Sequence, residues 1–520
     1  MITEELQPWY WRKLPLNERT ASKIFTCLFS PCQNQIAALL ESPYANNSNN
    51  CNNSNNPKLA RYSICAGSPR VIDNIVQMWT PQLGGVFPFL KQLLSKQMLQ
   101  KQPEAEFSSL PFTGGWLGWL GYDVGWETES LPTLKSDNLP FPVAFWYEPE
   151  CFAVLDHWKQ VLWLAASDGS KLNELEDKLD QNCDSSDSVS AIRHRKLSPL
   201  KLLTSQADYE AAVLQAKKYI KAGDIFQTNL SIRFETQTNA SGWEIYQALQ
   251  KINPSPFASY FKTPWGEVVS CSPERLVQVC ENQAQTRPIA GTRKRGETEE
   301  EDRKLAQELL TNTKERAEHI MLVDLERNDL GRVCEWGSVQ VDELFAIERY
   351  SHVMHLVSNV KGILKYDDSK HKNRDRKENI IDTIAAMFPG GTITGCPKVR
   401  CMEIIEELEP CKRSLFYGSC GYLDRRGNLD LNILIRTLLV AAKVNKSFNP
   451  LAPSRITPYH LFNSLKKVDP QSSRLNLHHS NINSVWGQVG AGIVADSNAR
   501  KEWYESLHKA QAQIKALQIV

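Results

Sequence analysis

The chain has 520 residues, 42% of them hydrophobic, enough for two to four domains and a large core. Its 60 basic and 59 acidic residues leave a net charge of +1, which speaks against a nucleic-acid or membrane-surface role and suits an enzyme of small molecules. The thirteen cysteines are scattered, with no Cys-x-x-Cys pair, so inert thiols are expected rather than zinc or disulfides.

The chain opens on "MITEELQPWYWRKL", acidic and aromatic where a signal peptide would be basic and then apolar. No apolar run approaches the roughly 18 residues of a membrane span, so a cytoplasmic protein is expected. An N-terminal domain is read over 1–175, with a polar Asn/Ser-rich insertion at 46–56. Within it, "VAFWYEPECFAVLDHWKQVLWLAAS" reads as two strands around a turn. A linker is expected over 176–203, and a catalytic domain over 204–520.

The catalytic domain starts with "DYEAAVLQAKKYIKAGDIFQTNLSIRFE", a helix and then a strand, with Asp208 as N-cap and Gly223 as the stop. "ETEEEDRKLAQELLTNTKERAEHIMLVDL" reads as one long helix whose early acids suit the helix dipole. Polar excursions are expected near 365–379 and 445–484 as surface insertions, because patterned sequence resumes after each. "LDLNILIRTLLVAA" and "WGQVGAGIVA" read as strands, and "RKEWYESLHKAQAQIKAL" as a terminal helix. Helices and strands alternate without a βαβ rhythm, which predicts an α+β fold on antiparallel sheets.

Chemistry-bearing residues gather in four patterns. Glu315 and Glu318 stand at i, i+3, and Glu502 and Glu505 repeat the spacing, with Lys509 four residues on. Each pair shares a helix face; alone such pairs are usually solvated, but two facing helices would offer four carboxylates to a hard cation. Three Gly-rich segments, "RPIAGTRKRG", "FPGGTITGCPKVR" and "VGAGIVADS", let backbone approach an anion, and Arg293, Lys294, Arg295, Lys398, Arg436 and Lys509 add positive charge. Glu274 in "SPER" is a candidate proton donor, given a raised pKa. His355 in "SHVMHLVS" is a candidate proton shuttle or a structural histidine, with His352 on the opposite strand face. Composition and spacing thus reach an enzyme acting on a small carboxylated metabolite with a divalent cation.

The blocks "GDIFQTNLS", "CSPERL", "RPIAGTRKRG", "KERAEHIMLVDLERNDLGRV", "YSHVMHLVSNVKG", "FPGGTITGCPKVRCMEIIEELEP", "GSCGYL", "LNILIRT" and "VGAGIVADS", in that order, resemble the chorismate-utilising enzymes. The similarity is to the large aminating subunits, component I of aminodeoxychorismate synthase and of anthranilate synthase, and is thinner over Met1–Ser170. The resemblance implies two intertwined parts with antiparallel sheets and outer helices. It implies magnesium, with Glu318 and Glu505 as direct ligands and Glu315 and Glu502 close by. It implies a chorismate cradle of Arg436, Lys509, Tyr422 and the backbone of Gly490, Ala491 and Gly492. It implies Ala290, Gly291, Thr292 and Thr394 as further pocket contacts, Glu274 as the general acid, and His355 as the histidine near the ring.

Gln227 stands where isochorismate-forming relatives carry a lysine that activates water; a carboxamide has no basic amine, so ammonia is the expected nucleophile. The chain shows no glutaminase signature, so the resemblance implies a separate glutamine amidotransferase subunit as partner. Well-studied para-branch enzymes carry a covalent lysine where this chain has Ala290, which favours the ortho product, anthranilate. "FQTNLS", "GGWLGWLGYDVG", "MEIIEELEP" and "LNILIRTL" resemble the para branch, which makes 4-amino-4-deoxychorismate, and the balance is read as para. A tryptophan pocket is expected from Ser42, Pro256 and Phe257.

Overall fold

A computed structural model describes residues 5–6, 8–30, 35–42, 61–98, 107, 109–182, 197–350, 353–365, 372–442 and 482–520. The expected insertions at 46–56 and 445–484, apart from 482–484, lie outside the described residues, as do residues 366–371 of the third excursion, 183–196 of the linker, and His352.

Two large sheets form the framework. Among the described residues one has twelve strands, running in space from Lys201–Leu202 through Gln227–Thr238, Asn483–Ile493, Thr437–Ala442, Gly266–Ser272, Phe257–Thr263, Ala37–Glu41, Tyr62–Ala66, Cys151–Asp156 and Val161–Ala166 to Tyr10–Pro15, with Gly395–Cys396 as a side strand. The other has ten, from Ile289–Lys294 through Val353–Ile363, Gln283–Thr286, Arg275–Cys280, Leu429–Asn432, Ser419–Asp424, Gly115–Leu120 and Ala144–Tyr147 to Met78–Trp79, with Gln340–Arg349 on Val353–Ile363. Both sheets draw strands from before residue 175 and after residue 204. Their inner faces share one aromatic-rich core; Trp119 of the smaller sheet meets Phe261 of the larger edge-on at 5.9 Å. Helices cover the outer faces: Ala21–Phe29, Gly242–Ile252 and Gln511–Ile519 bury their apolar stripes against the twelve-stranded sheet. The α+β architecture is as expected.

Local differences from the sequence reading have simple causes. "VAFWYEPECFAVLDHWKQVLWLAAS" makes three strands, and the first, Ala144–Tyr147, joins a different sheet from Cys151–Asp156 and Val161–Ala166. Ser205, not Asp208, caps the Gln206–Ala222 helix; its hydroxyl accepts from the Asp208 N–H and donates to the Asp208 carboxylate at 2.6 Å. Gly223 ends that helix in the left-handed region, as read. The long acidic helix is two, Glu299–Thr311 and Thr313–Val333, because the Asn312 side chain accepts from the Glu315 N–H and starts a new helix. The terminal helix divides into Ala499–Lys509 and Gln511–Ile519. Of the expected linker, residues to Asn182 belong to the Gly169–Asn182 helix, and Lys201–Leu202 pair with Glu235 and Phe234. Among the described residues nine cysteines are free thiols, but Cys27 is disulfide-bonded, contrary to the expectation of thiols throughout.

"LDLNILIRTLLVAA" is also two strands, in different sheets. Leu429–Asn432 belongs to the smaller sheet and Thr437–Ala442 to the larger, and the chain crosses between them over Ile433–Arg436. A second crossing lies beside it, where Gly266–Ser272 passes into Arg275–Cys280 through Pro273 and Glu274. The Ile433 N–H donates to the Glu274 carbonyl at 3.0 Å and fixes the two crossings together.

Candidate active site

That seam carries the first cluster. Glu274 is buried, and burial pushes its carboxyl up to about 7, although the Thr392 hydroxyl, the Ile289 N–H and Arg436 favour the ionised form. Arg436 sits in the left-handed region at φ +51°, its guanidinium donating to Asn253 Oδ1 at 3.3 Å, and burial pulls its pKa down. His355 lies on Val353–Ile363 opposite Thr292, with Nδ1 2.9 Å from the Thr292 hydroxyl. Burial, with Arg436 adding to it, pulls His355 down to about 3, so it is neutral at physiological pH, a polar contact rather than a ready proton carrier.

The "RPIAGTRKRG" loop forms the wall. Its strand bulges between Ala290 and Thr292, with Gly291 at φ +54°. A Cβ on Gly291 would lie 2.9 Å from Glu315 Oε2, so the loop rests directly on the acidic helix. The cations that hinted at an anionic ligand are partly committed: Arg293 pairs with Glu315 at 2.7 Å and with Glu308 at 3.2 Å, and Arg295 with Asp302 at 2.6 Å. Lys398 is likewise engaged, with Asp329 at 2.6 Å.

Glu318 on Thr313–Val333 lies within reach of the charges of Glu502 and Glu505 on Ala499–Lys509 and of its helix neighbour Glu315. Burial raises the Glu318 pKa first; Lys314 opposes it, and the charges of Glu315, Glu505 and Glu502 raise it further. Glu502 is raised by burial and by Glu505 against a bond from Ser497. Glu315 Oε2 is buried without a hydrogen-bond partner. Among the described residues no three acidic, His or Cys groups already stand together as a metal cluster. Lys509 bridges Glu505 at 3.0 Å and the Gly490 carbonyl at 3.1 Å.

The floor is the long hairpin of Gln227–Thr238 and Asn483–Ile493, where Gly492 opposes Asn229 and Gly490 opposes Ser231. Ala491 points away, into the cluster of Tyr209 and Trp503. A Cβ on Gly490 would lie 2.8 Å from Asn229 Oδ1 and 3.0 Å from the Tyr417 hydroxyl; one on Gly492 would lie 2.6 Å from Gln227 Nε2. Gln227 Oε1, Asn229 Oδ1 and the Tyr417 hydroxyl are all buried without partners, as groups that await a ligand or water would be. Gly492→Ala should leave the melting temperature near wild type, since only a flexible side-chain end must move. It should cost turnover about a hundredfold, the scale of an ångström misplacement; unchanged turnover would remove Gln227 from the site.

One expected contact is tied up within its own helix and another stands in a separate cavity. The Thr394 hydroxyl is buried and donates to the Gly390 carbonyl at 2.8 Å. Tyr422 lines a separate cavity of about 110 Å³ with Ser42, Tyr62, Pro256, Phe257 and Arg275. Ser42 donates to the Pro256 carbonyl there at 2.8 Å, so the three residues expected to form the tryptophan pocket do share one cavity. The tyrosine beside the glycine floor is Tyr417, in the left-handed region at φ +64°, and no periodicity or spacing marks it in the sequence.

A buried acid at a sheet crossing, a glycine floor and neighbouring acidic helices define a small-anion enzyme. The sequence profile of the chorismate binding enzymes matches residues 71–449, and the chain belongs to that family. It is 53% identical over 522 residues to an anthranilate synthase component I-like protein from Synechocystis, covering 99% of this chain and 93% of that one. It is 39% identical over 436 residues to aminodeoxychorismate synthase component 1 from Bacillus subtilis, covering 81% and 80%. The fold matches the crystal structure of anthranilate synthase component I from Streptococcus pneumoniae with a TM-score of 0.66 at 28% identity, over 87% of this chain and 92% of that one. Among the described residues no helix is long and apolar enough to cross a membrane.

Proposed function

We propose that this chain is a cytoplasmic large aminating subunit that converts chorismate and ammonia to 4-amino-4-deoxychorismate, a precursor of para-aminobenzoate. One observation carries the loss of the C4 hydroxyl: Glu274, its carboxyl pushed up to about 7, lies in one seam with Arg436, whose charge also reaches His355. A protonated carboxyl there can hand its proton to the C4 hydroxyl as the C–O bond breaks, so that the oxygen leaves as water while ammonia bonds to the ring. Arg436, Lys509 and the backbone of Gly490–Gly492 bind the carboxylates of the substrate. Gln227 turns a carboxamide, not an amine, toward the Gly492 end of the floor, which suits ammonia better than activated water.

The four neighbouring glutamates and the orphaned oxygen of Glu315 suit a hard divalent cation that takes one or two carboxylates and completes its shell with water and substrate oxygen. Glu318 and Glu505 would hold magnesium directly, with Glu315 and Glu502 close by. Bound there, magnesium would neutralise the ring carboxylate. Ammonia comes from glutamine through a separate amidotransferase subunit. The 110 Å³ cavity is assigned to tryptophan.

Ala290 and the Synechocystis relative favour a second reading, anthranilate synthase component I. Departure of the C4 hydroxyl is common to both, so Glu274 does not choose between them. Chorismate, magnesium and an ammonium salt with the purified chain decide it. Fluorescent anthranilate plus pyruvate would sink the para reading; a product that gives 4-aminobenzoate only after a lyase is added would sink the ortho one. Ala290→Lys should raise para-product turnover if the methyl is what limits it, and no gain would show that direct addition already suffices.

A further inference from the structure

Tyr417 holds a backbone conformation that bulky residues avoid, with a buried, unpartnered hydroxyl on the glycine floor. Such a residue stays in place only if its surroundings over-determine it. Arg413 is 2% exposed and lies four residues upstream. Its guanidinium donates from Nε to Glu409 Oε2 at 3.0 Å, from Nη2 to Glu409 Oε1 at 2.7 Å and the Asn229 carbonyl at 2.9 Å, and from Nη1 to the Ile393 carbonyl at 2.7 Å. Its Cζ sits 4.5 Å from the Tyr417 ring centroid and 4.8 Å from that of Tyr122. Glu409 Oε1 also accepts from the Ser231 N–H at 2.9 Å and its hydroxyl at 2.7 Å.

We propose that Arg413, oriented by Glu409, is a positioning residue of the active site: one guanidinium locks the Tyr417 ring, the Asn229 strand and the Gly391–Thr394 helix into a single geometry. Two of these segments carry the buried, unpartnered groups of the floor, Tyr417 and Asn229, and the third carries Thr392 beside Glu274; they lie far apart in sequence, and this planar fork touches all three. Lysine keeps the charge but offers neither the fork nor the stacking plane. The identity of the ligand rests on the proposed function; the clamp does not.

The test uses the full chain carrying tyrosine labelled with ¹³C at Cζ, in wild type, Arg413→Lys, Tyr417→Phe and the double variant. The resonance that Tyr417→Phe deletes should shift or broaden in Arg413→Lys. Turnover of chorismate with ammonium should fall about tenfold to a hundredfold, the range for loss of an outer-shell partner. In the double variant the loss should fall short of the product of the two single losses, because the part of the Arg413 effect that runs through Tyr417 is already gone, whereas a merely structural arginine gives losses that multiply. Glu409→Gln, which leaves Arg413 in place, is the second variant should Arg413→Lys not fold. A Tyr417 resonance unmoved in the folded variants, or multiplying losses, overturns the proposal. If the wild type turns over no chorismate, the functional reading falls and the resonance alone decides the clamp.

Discussion

Glu318→Gln should lower magnesium-dependent turnover at least about a hundredfold, the scale of losing one preorganised electrostatic group at a reacting centre. The same change should leave the metal-free protein as stable as wild type or more so. Glu318 is half-buried and faces the charges of Glu315, Glu505 and Glu502, so removing one carboxylate relieves repulsion. A carboxyl with a raised folded pKa binds its proton more tightly folded than unfolded. Stability of the metal-free wild type should therefore fall as pH rises from the ordinary value of 4.5 through the raised one. Melting curves with and without magnesium check both halves: the wild type should gain stability from the ion, and Glu318→Gln should lose most of that gain. A variant that keeps full turnover and the full magnesium shift would move the metal elsewhere.

Glu274→Gln should cost about 10²–10⁴ in kcat, the range for a general acid, while chorismate still binds, because glutamine keeps the shape and removes only the proton. Burial sets the pH profile. With the carboxyl pushed up to about 7, the acid form is present below that value and lost above it, so kcat/KM should fall about tenfold per pH unit on the alkaline side. The residual activity of Glu274→Gln should lack that limb. An unchanged profile would assign the proton to another group.

That each acidic pair shares a helix face was legible from its i, i+3 spacing, but what singled out those pairs and Glu274 among many exposed acids was the ordered run of family-like blocks, not the spacing. What the sequence hid had physical causes. The Asn312 break lies in an unbroken polar pattern, and only its side-chain cap starts a second helix. Arg293 and Lys398 read as free positive charge until the fold brings Glu315 and Asp329 to them. Tyr422 and Tyr417 are five residues apart in one segment. Only the backbone turn at φ +64° sends Tyr417 to the glycine floor while Tyr422, on its strand, faces the other cavity.

The interleaving of the sheets bears on how the chain comes into being on the ribosome. Cys151–Asp156 and Tyr62–Ala66 emerge early, yet their sheet continues through Phe257–Thr263 and Thr437–Ala442 to Asn483–Ile493. Until that last strand is synthesised, the Gln227–Thr238 strand presents an unpaired edge, a template for wrong partners. The nascent protein therefore has no early half that can finish folding alone, and its assembly waits on contacts of long sequence separation, which form slowly. A message cut short before residue 483 would yield a chain with an exposed seam rather than a smaller working enzyme, and such products are natural clients for chaperones and proteases.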